Sequence, residues 1–213
     1  MSTAKEKTLW LTRTAIFAAI VIIVQLAGGA VKVGPVSFSL VLVPIVVGGI
    51  ISGPASGAIL GLVFGVITLI NGLTGVDPFT SILLNSGLKG AIITPLICLV
   101  KATAAGYFSA LIYKLFKNSA DKRSDTRKRD GMKIAGTFAA AAAAPIINTG
   151  LFILGALTLS DVLAANFVPE GATVIYFLVI GCAGINFIVE FFVNLVLAPG
   201  IYQIARAVSK GKV

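Results

Sequence analysis

Long apolar runs, each bounded by a proline, a glycine or a cluster of charges, follow one another from Leu9 to Ala207. A helix crossing the hydrocarbon core of a bilayer needs about 20 apolar residues. A chain of 213 residues therefore holds about five to seven such spans and no sizeable soluble domain. Apolar residues make up 57% of the chain and charged ones 12%, against roughly 45–50% and about 25% in soluble domains. The sequence reads as one all-α membrane domain over residues 1–213.

Several chemistries are excluded. Histidine is absent, which removes Ser-His-Asp triads, His-ligated metals and His-dependent hydrolysis. No G-x-x-x-x-G-K-[ST] phosphate loop occurs, so ATP cannot drive this chain directly. Cys98 and Cys182 sit in apolar runs and form neither a CxxC motif nor a disulfide framework. An intramembrane enzyme would be left with Ser–Lys or Asp pairs, and no Asp lies inside a span. The reading is of a protein that is not an enzyme and carries no cofactor or metal.

The runs predict six spans. The first is Leu9–Ala27, longer than a signal-peptide core and without a convincing cleavage site. A short second helix, Ser39–Ser52, ends at Gly53-Pro54, and Pro54 opens a third helix to about Ile70. Phe79–Lys117 is too long for one upright span. Thr94-Pro95 offers an N-cap and an N1 proline, which starts helix four there and leaves Gly72–Ile93 as a long, partly apolar lid. Ser119–Asp130 reads as a solvated charged loop. Helix five follows from about Ile134 to Leu157 with a kink at Pro145. A polar connection, Ser160–Gly171, and a loop-side piece, Val174–Ala183, precede helix six at Gly184–Ala205.

Six spans place both termini on one side. Lys5, Lys7 and Arg13 at the start, Lys114 to Lys133 around the fourth connection, and Arg206, Lys210 and Lys212 at the end hold fourteen of the 17 basic residues. The positive-inside rule makes that face cytoplasmic, with Trp10, Tyr113 and Tyr202 as interfacial aromatics. The net charge of +9 is thus a topology signal and not a nucleic-acid surface.

Two local patterns add to this outline. Ala15-Ile16-Phe17-Ala18-Ala19 places two small residues four apart on the first helix. Val43-Pro44 precedes Gly53-Pro54-Ala55-Ser56-Gly57-Ala58 at the join of helices two and three. With the length and span count, they resemble the substrate-binding S-components of energy-coupling-factor vitamin transporters, over almost the whole chain. The resemblance implies a plasma-membrane protein that captures a vitamin from outside. It would then dock on a transmembrane T-component carrying two cytosolic ATPases, with Ala15 and Ala19 on the docking face. Packing against a neighbouring helix of the same chain is the plainer alternative for that pair. Gly57, Gly61 and Gly65, spaced at four, predict close intramolecular helix packing.

Polar groups inside spans are costly and face a cavity or a partner. Lys101 on helix four, Asn148 on helix five and Asn186 and Glu190 on helix six reach a common depth in the outer half. They form either a ligand site or a structural Lys101–Glu190 ion pair with bridging amides. Asn194, one turn deeper, reads as structural. Asn71, Asn85, Ser86, Lys89 and Gln25 are candidate contacts around the lid, while Asp77 before Pro78 reads as turn chemistry. The one Trp lies at the cytoplasmic end, away from this region. A hydroxylated, non-aromatic carboxylate therefore suits one lysine and several amides better than a flat aromatic vitamin does. Pantothenate has that chemistry, and the runs KATAAGY and NTGLF resemble pantothenate-type members of the family. Phe79, Phe152 and Phe177 near the outer side can still stack on a ring, so an S-component for another vitamin or precursor stays open. So does an autonomous carrier or channel with a Lys101–Glu190 relay, although the inverted repeats common in carriers are not evident.

Overall fold

Gly53 makes the first tight junction. Its φ of 94° lies in the left-handed region that glycine enters without steric cost. Pro54 behind it takes a first helical position, where a missing N–H is no loss. The junction joins α2 (Leu42–Ser52) to α3 (Pro54–Leu73). The first helix, α1 (Ala4–Gly28), is tied to the same corner. Trp10 Nε1 donates to the Ser52 carbonyl at 2.9 Å, and the Thr14 and Ser56 hydroxyls lie 3.0 Å apart. The computed structural model describes residues 4–28, 32–33, 36–37 and 40–210. Between α1 and α2, β1 (Lys32–Val33) and β2 (Val36–Ser37) pair antiparallel, Lys32 opposite Ser37.

The glycine stripe of α3 sets the central contact. A Cβ at Gly57, Gly61 or Gly65 would strike the backbone carbonyl of Gly106, Ala102 or Cys98, respectively. All three carbonyls belong to α5 (Leu88–Asp121). Small side chains let helix backbones approach this closely, so the stripe is an internal seam. α5 turns back through four residues into α6 (Thr126–Leu157). Asp125 caps α6 by accepting from the backbone N–H of Arg127 and Lys128 at 2.9 and 3.3 Å. A short α4 (Pro78–Leu84) lies between α3 and α5, and α7 (Ser160–Asn166) follows α6. The last segment runs without a break through α8 (Val174–Tyr176), a π-helix (Phe177–Gly184) and α9 (Ile185–Lys210).

Among the described residues, α1, α3, α5, α6 and the continuous stretch Val174–Val208 are long and apolar enough to cross a membrane. The second expected span is the short α2, whose 11 residues rise only about 16 Å. Lys133 pairs with Asp121 at 2.7 Å and Arg206 with Asp130 at 3.6 Å. These pairs gather the α5–α6 turn and the end of α9 at one basic end. Val46, Val47, Ile50, Tyr113, Ala140, Ala144, Ile201 and Ala205 form a core near it. Phe79, Leu83, Leu159, Leu163 and Leu178 form another near the opposite end.

Four boundaries differ from the sequence reading. Helix four does not start at Thr94-Pro95: α5 begins six residues earlier, and Pro95 lies inside it. Gly87, at φ 90°, accepts from the Ala91 N–H at 3.0 Å and supplies the true start. Proline is tolerated within spans because neighbouring groups satisfy the freed backbone. The lid region is mostly helical, since α4 buries Phe79, Thr80, Leu83 and Leu84, leaving only short turns. Ser119–Asp130 shrinks to a four-residue turn because α5 and α6 extend their charged, exposed ends beyond the apolar stretch. Val174–Ala183 is helical, because Leu178, Cys182 and Ala183 are buried and the wide π turn carries the chain directly into α9. Within the polar connection, α7 forms around buried Leu163.

Candidate ligand-binding cavity

Helical spacing decides which side chains converge at the end opposite the basic one. Phe64, Thr68 and Asn71 repeat at four and three along α3, and Thr94, Cys98 and Lys101 do so along α5, so each set shares a face. Asn148, Thr149 and Phe152 come from α6. Cys182, Asn186 and Glu190 follow one another at four from the π-helix into α9. These groups, with Gln25 of α1, Asp77 before α4, and Phe79, Thr80 and Leu83 of α4, surround a cavity of about 90 Å³.

Lys101 is the one lysine or arginine among the lining residues. Its Nζ stands 5.0 Å from the centroid of the Phe152 ring, within the range of a cation–π attraction. Glu190 is 7% exposed. The ion pairs within 4.0 Å among the described residues lie elsewhere. The contact ion pair considered from the sequence is therefore not formed.

Four buried oxygens around this cavity have no hydrogen-bond partner in the protein: Asp77 Oδ1, Thr94 Oγ1, Asn148 Oδ1 and Asn186 Oδ1. Leaving such a group unpaired costs about 1–3 kcal/mol, and most buried polar atoms avoid it. Thr94 does not cap a helix, because α5 runs past it, and its hydroxyl does not bond back to the helix carbonyls as those of Thr14, Thr68 and Thr137 do. The arrangement offers one cation, several acceptors and three phenylalanine rings to a small molecule with polar and apolar parts.

Of the residues singled out from the sequence, Lys101, Asn148, Asn186, Glu190, Asn71 and Gln25 line the cavity. Asn85 and Lys89 stand outside it. Asn85 Nδ2 donates back to the Ser81 carbonyl at 2.9 Å. Lys89 Nζ pairs with exposed Asp161 at 3.3 Å, and its hydrogen bond holds the Asp161 carboxyl below the ordinary value of 3.8. Ser86 Oγ donates to the Leu83 carbonyl at 2.7 Å. Asn194 is buried, and its Nδ2 donates to the Glu190 carbonyl at 2.8 Å. Ala15 and Ala19 are exposed on α1. Asp77, taken from the sequence for a turn residue, lines the cavity. So do Phe64, Thr68, Thr80, Thr94, Thr149, Cys98 and Cys182. Their spacing to Asn71 and Lys101 was the available signal for Phe64, Thr68, Thr94 and Cys98.

Membrane-length apolar helices enclosing a part-polar cavity at one end define the class, a helical membrane protein with a small-molecule pocket. A family model described as "ECF transporter, substrate-specific component" matches residues 10–202. The chain belongs to that family and is an integral membrane protein. It is similar to a solved structure of ThiT from Listeria monocytogenes, with a TM-score of 0.51 and 18% identity over 92% of this chain and 98% of that one. At that identity the likeness speaks for the fold. No curated protein matches the chain.

Proposed function

We propose that this S-component captures pantothenate on the outer face of the plasma membrane. It delivers the vitamin through a T-component driven by two cytosolic ATPases, and is itself no enzyme. In this reading the chain crosses six times with both termini cytoplasmic, so the cavity opens to the outside. The observation that carries the substrate is Lys101, a cation held over a ring with no ion pair among the described residues and with unpaired oxygens around the same cavity. Pantothenate offers a carboxylate to the lysine, two hydroxyls and an amide N–H to the oxygens, and a gem-dimethyl group to Phe64, Phe79 and Phe152. The cavity of about 90 Å³ is smaller than the about 300–1,000 Å³ of ordinary ligand pockets. In this reading α4 and its neighbours move apart to make room for the vitamin.

The test is mass spectrometry of small molecules extracted from gently purified protein, followed by calorimetry with pantothenate, riboflavin, thiamine and folate. Tight, selective binding of pantothenate is the expected result, and selective binding of another vitamin overturns it. That second reading draws on the three phenylalanines at the cavity, which can stack on a flat ring. Transport of solute by the isolated protein in vesicles would instead favour an autonomous carrier with a Lys101–Glu190 relay.

A further inference from the structure

The unpaired oxygens around the cavity are not equivalent in what they can recognise. The Asn148 and Asn186 amides can turn about and present an N–H₂ in place of the oxygen, and the Thr94 hydroxyl both donates and accepts. A carboxylate only accepts. Asp77, 9% exposed, lines the cavity, and one of its oxygens, Oδ1, is buried without a partner. Its other oxygen, Oδ2, accepts from Thr80 Oγ1 at 2.6 Å. Its backbone N–H donates to the Asn71 carbonyl at 2.9 Å, and its carbonyl accepts from the Ser81 N–H at 3.0 Å. Pro78 fixes the next φ. The carboxylate is thus held in one orientation by groups that leave Oδ1 free.

We infer that Asp77 reads the captured molecule: Oδ1 accepts a hydrogen bond from a hydroxyl or N–H of the ligand, while Lys101 takes its anionic group. The site then selects small anions that also carry a donor, and discriminates against analogues lacking it, because those leave a buried acceptor unpaired. This inference rests on the capture reading above and deepens it. It assigns a specificity role to the turn between α3 and α4.

Asp77→Asn is the informative variant. Its amide oxygen can still accept from Thr80, which turns an N–H₂ inward where an acceptor stood. Calorimetry of wild-type and Asp77→Asn protein with pantothenate, riboflavin, thiamine and folate, alongside thermal unfolding, separates the possibilities. The expected result is a loss of about tenfold to a hundredfold in affinity for pantothenate, with the unfolding temperature little changed. The two monodeoxy analogues of pantothenate complete a double-mutant cycle. One of them should bind wild type weakly and lose little more in the variant. If another of the four vitamins binds in place of pantothenate and loses tenfold or more in the variant, Asp77 keeps its role and the pantothenate reading falls. If pantothenate or any other bound vitamin keeps its affinity within about threefold, or if the unfolding temperature falls while affinity holds, Asp77 is a structural cap and the inference is overturned. If none of the four binds wild type, both proposals fall.

Discussion

At the basic end, Trp10, Thr14, Asp121 and Asp130 reach partners within the chain. At the opposite end, Asp77, Thr94, Asn148 and Asn186 each keep a buried oxygen unpaired. Unpaired atoms also occur elsewhere, at Ser52, Arg129 and Asn194; Ser52 borders a separate pocket near the basic end, and the three do not share one cavity. The two ends are built from the same helices, so the difference is not one of secondary structure. One end uses polar groups to hold helices in register, and the other brings several unpartnered polar side chains to the edge of one cavity. On the capture reading proposed above, mutations at the two ends should separate folding from recognition.

The largest effect is expected from Ala15→Trp with Ala19→Trp on the exposed face of α1. Uptake by the full transporter should be abolished while vitamin binding by the isolated protein persists. Normal uptake in normally assembled complexes would place the docking face elsewhere. Lys101→Met acts at the other end. Charge-assisted hydrogen bonds contribute about 1.5–3 kcal/mol, so pantothenate should bind roughly tenfold to a few hundredfold more weakly. The neutral alcohol pantothenol should change much less. Equal losses for both ligands, measured by calorimetry on folded protein, would make Lys101 a fold-supporting residue.

The comparison can also be tested at the seam between α3 and α5, which both ends share. Gly61→Leu drives a side chain into the Ala102 carbonyl and should cost about 1–3 kcal/mol of stability, seen as a lower unfolding temperature in detergent. Ligand affinity should fall with it, because Lys101 is next to Ala102. Unchanged stability would mean that the two helices can separate freely. For α4 and its turns, hydrogen exchange over residues 72–93 should slow on adding ligand. At about 100 times the Kd, openings that release ligand should become roughly a hundredfold rarer. Identical exchange in both states would show the segment to be fixed.

The smallest effect concerns Lys89 and Asp161, an exposed pair outside the cavity. The Asp161 carboxyl titrates below 3.8 in the folded protein, chiefly through its bond to Lys89. Its contribution is therefore present above the unfolded value and fades as pH falls through the folded one. Asp161→Asn should lower the unfolding temperature slightly at pH 7, and the difference should vanish in strong acid. A difference that persists there would point to something other than the ion pair.

Sequence alone determined the elements whose causes are local. Uninterrupted apolar runs specified long membrane helices, Gly53-Pro54 specified a tight junction, and glycines spaced at four specified a close seam. Intramembrane polarity also picked out Lys101, Asn148, Asn186 and Glu190, because burying such groups is costly wherever the chain places them. Tertiary structure decided where helices end and which loop residues turn inward. Thr94-Pro95 has the local chemistry of a helix start, yet the helix already begins at the Gly87 turn and runs past it, which leaves Thr94 lining the cavity. Asp77-Pro78 has the local chemistry of a turn, and it does make one. Only the packing of α4 against α3, with Thr80 against Gly72, brings Asp77 to the cavity lining and leaves its other carboxylate oxygen buried without a partner. Spacing along one helix fixes a face, but the direction of that face depends on contacts between segments distant in sequence, which no local pattern encodes.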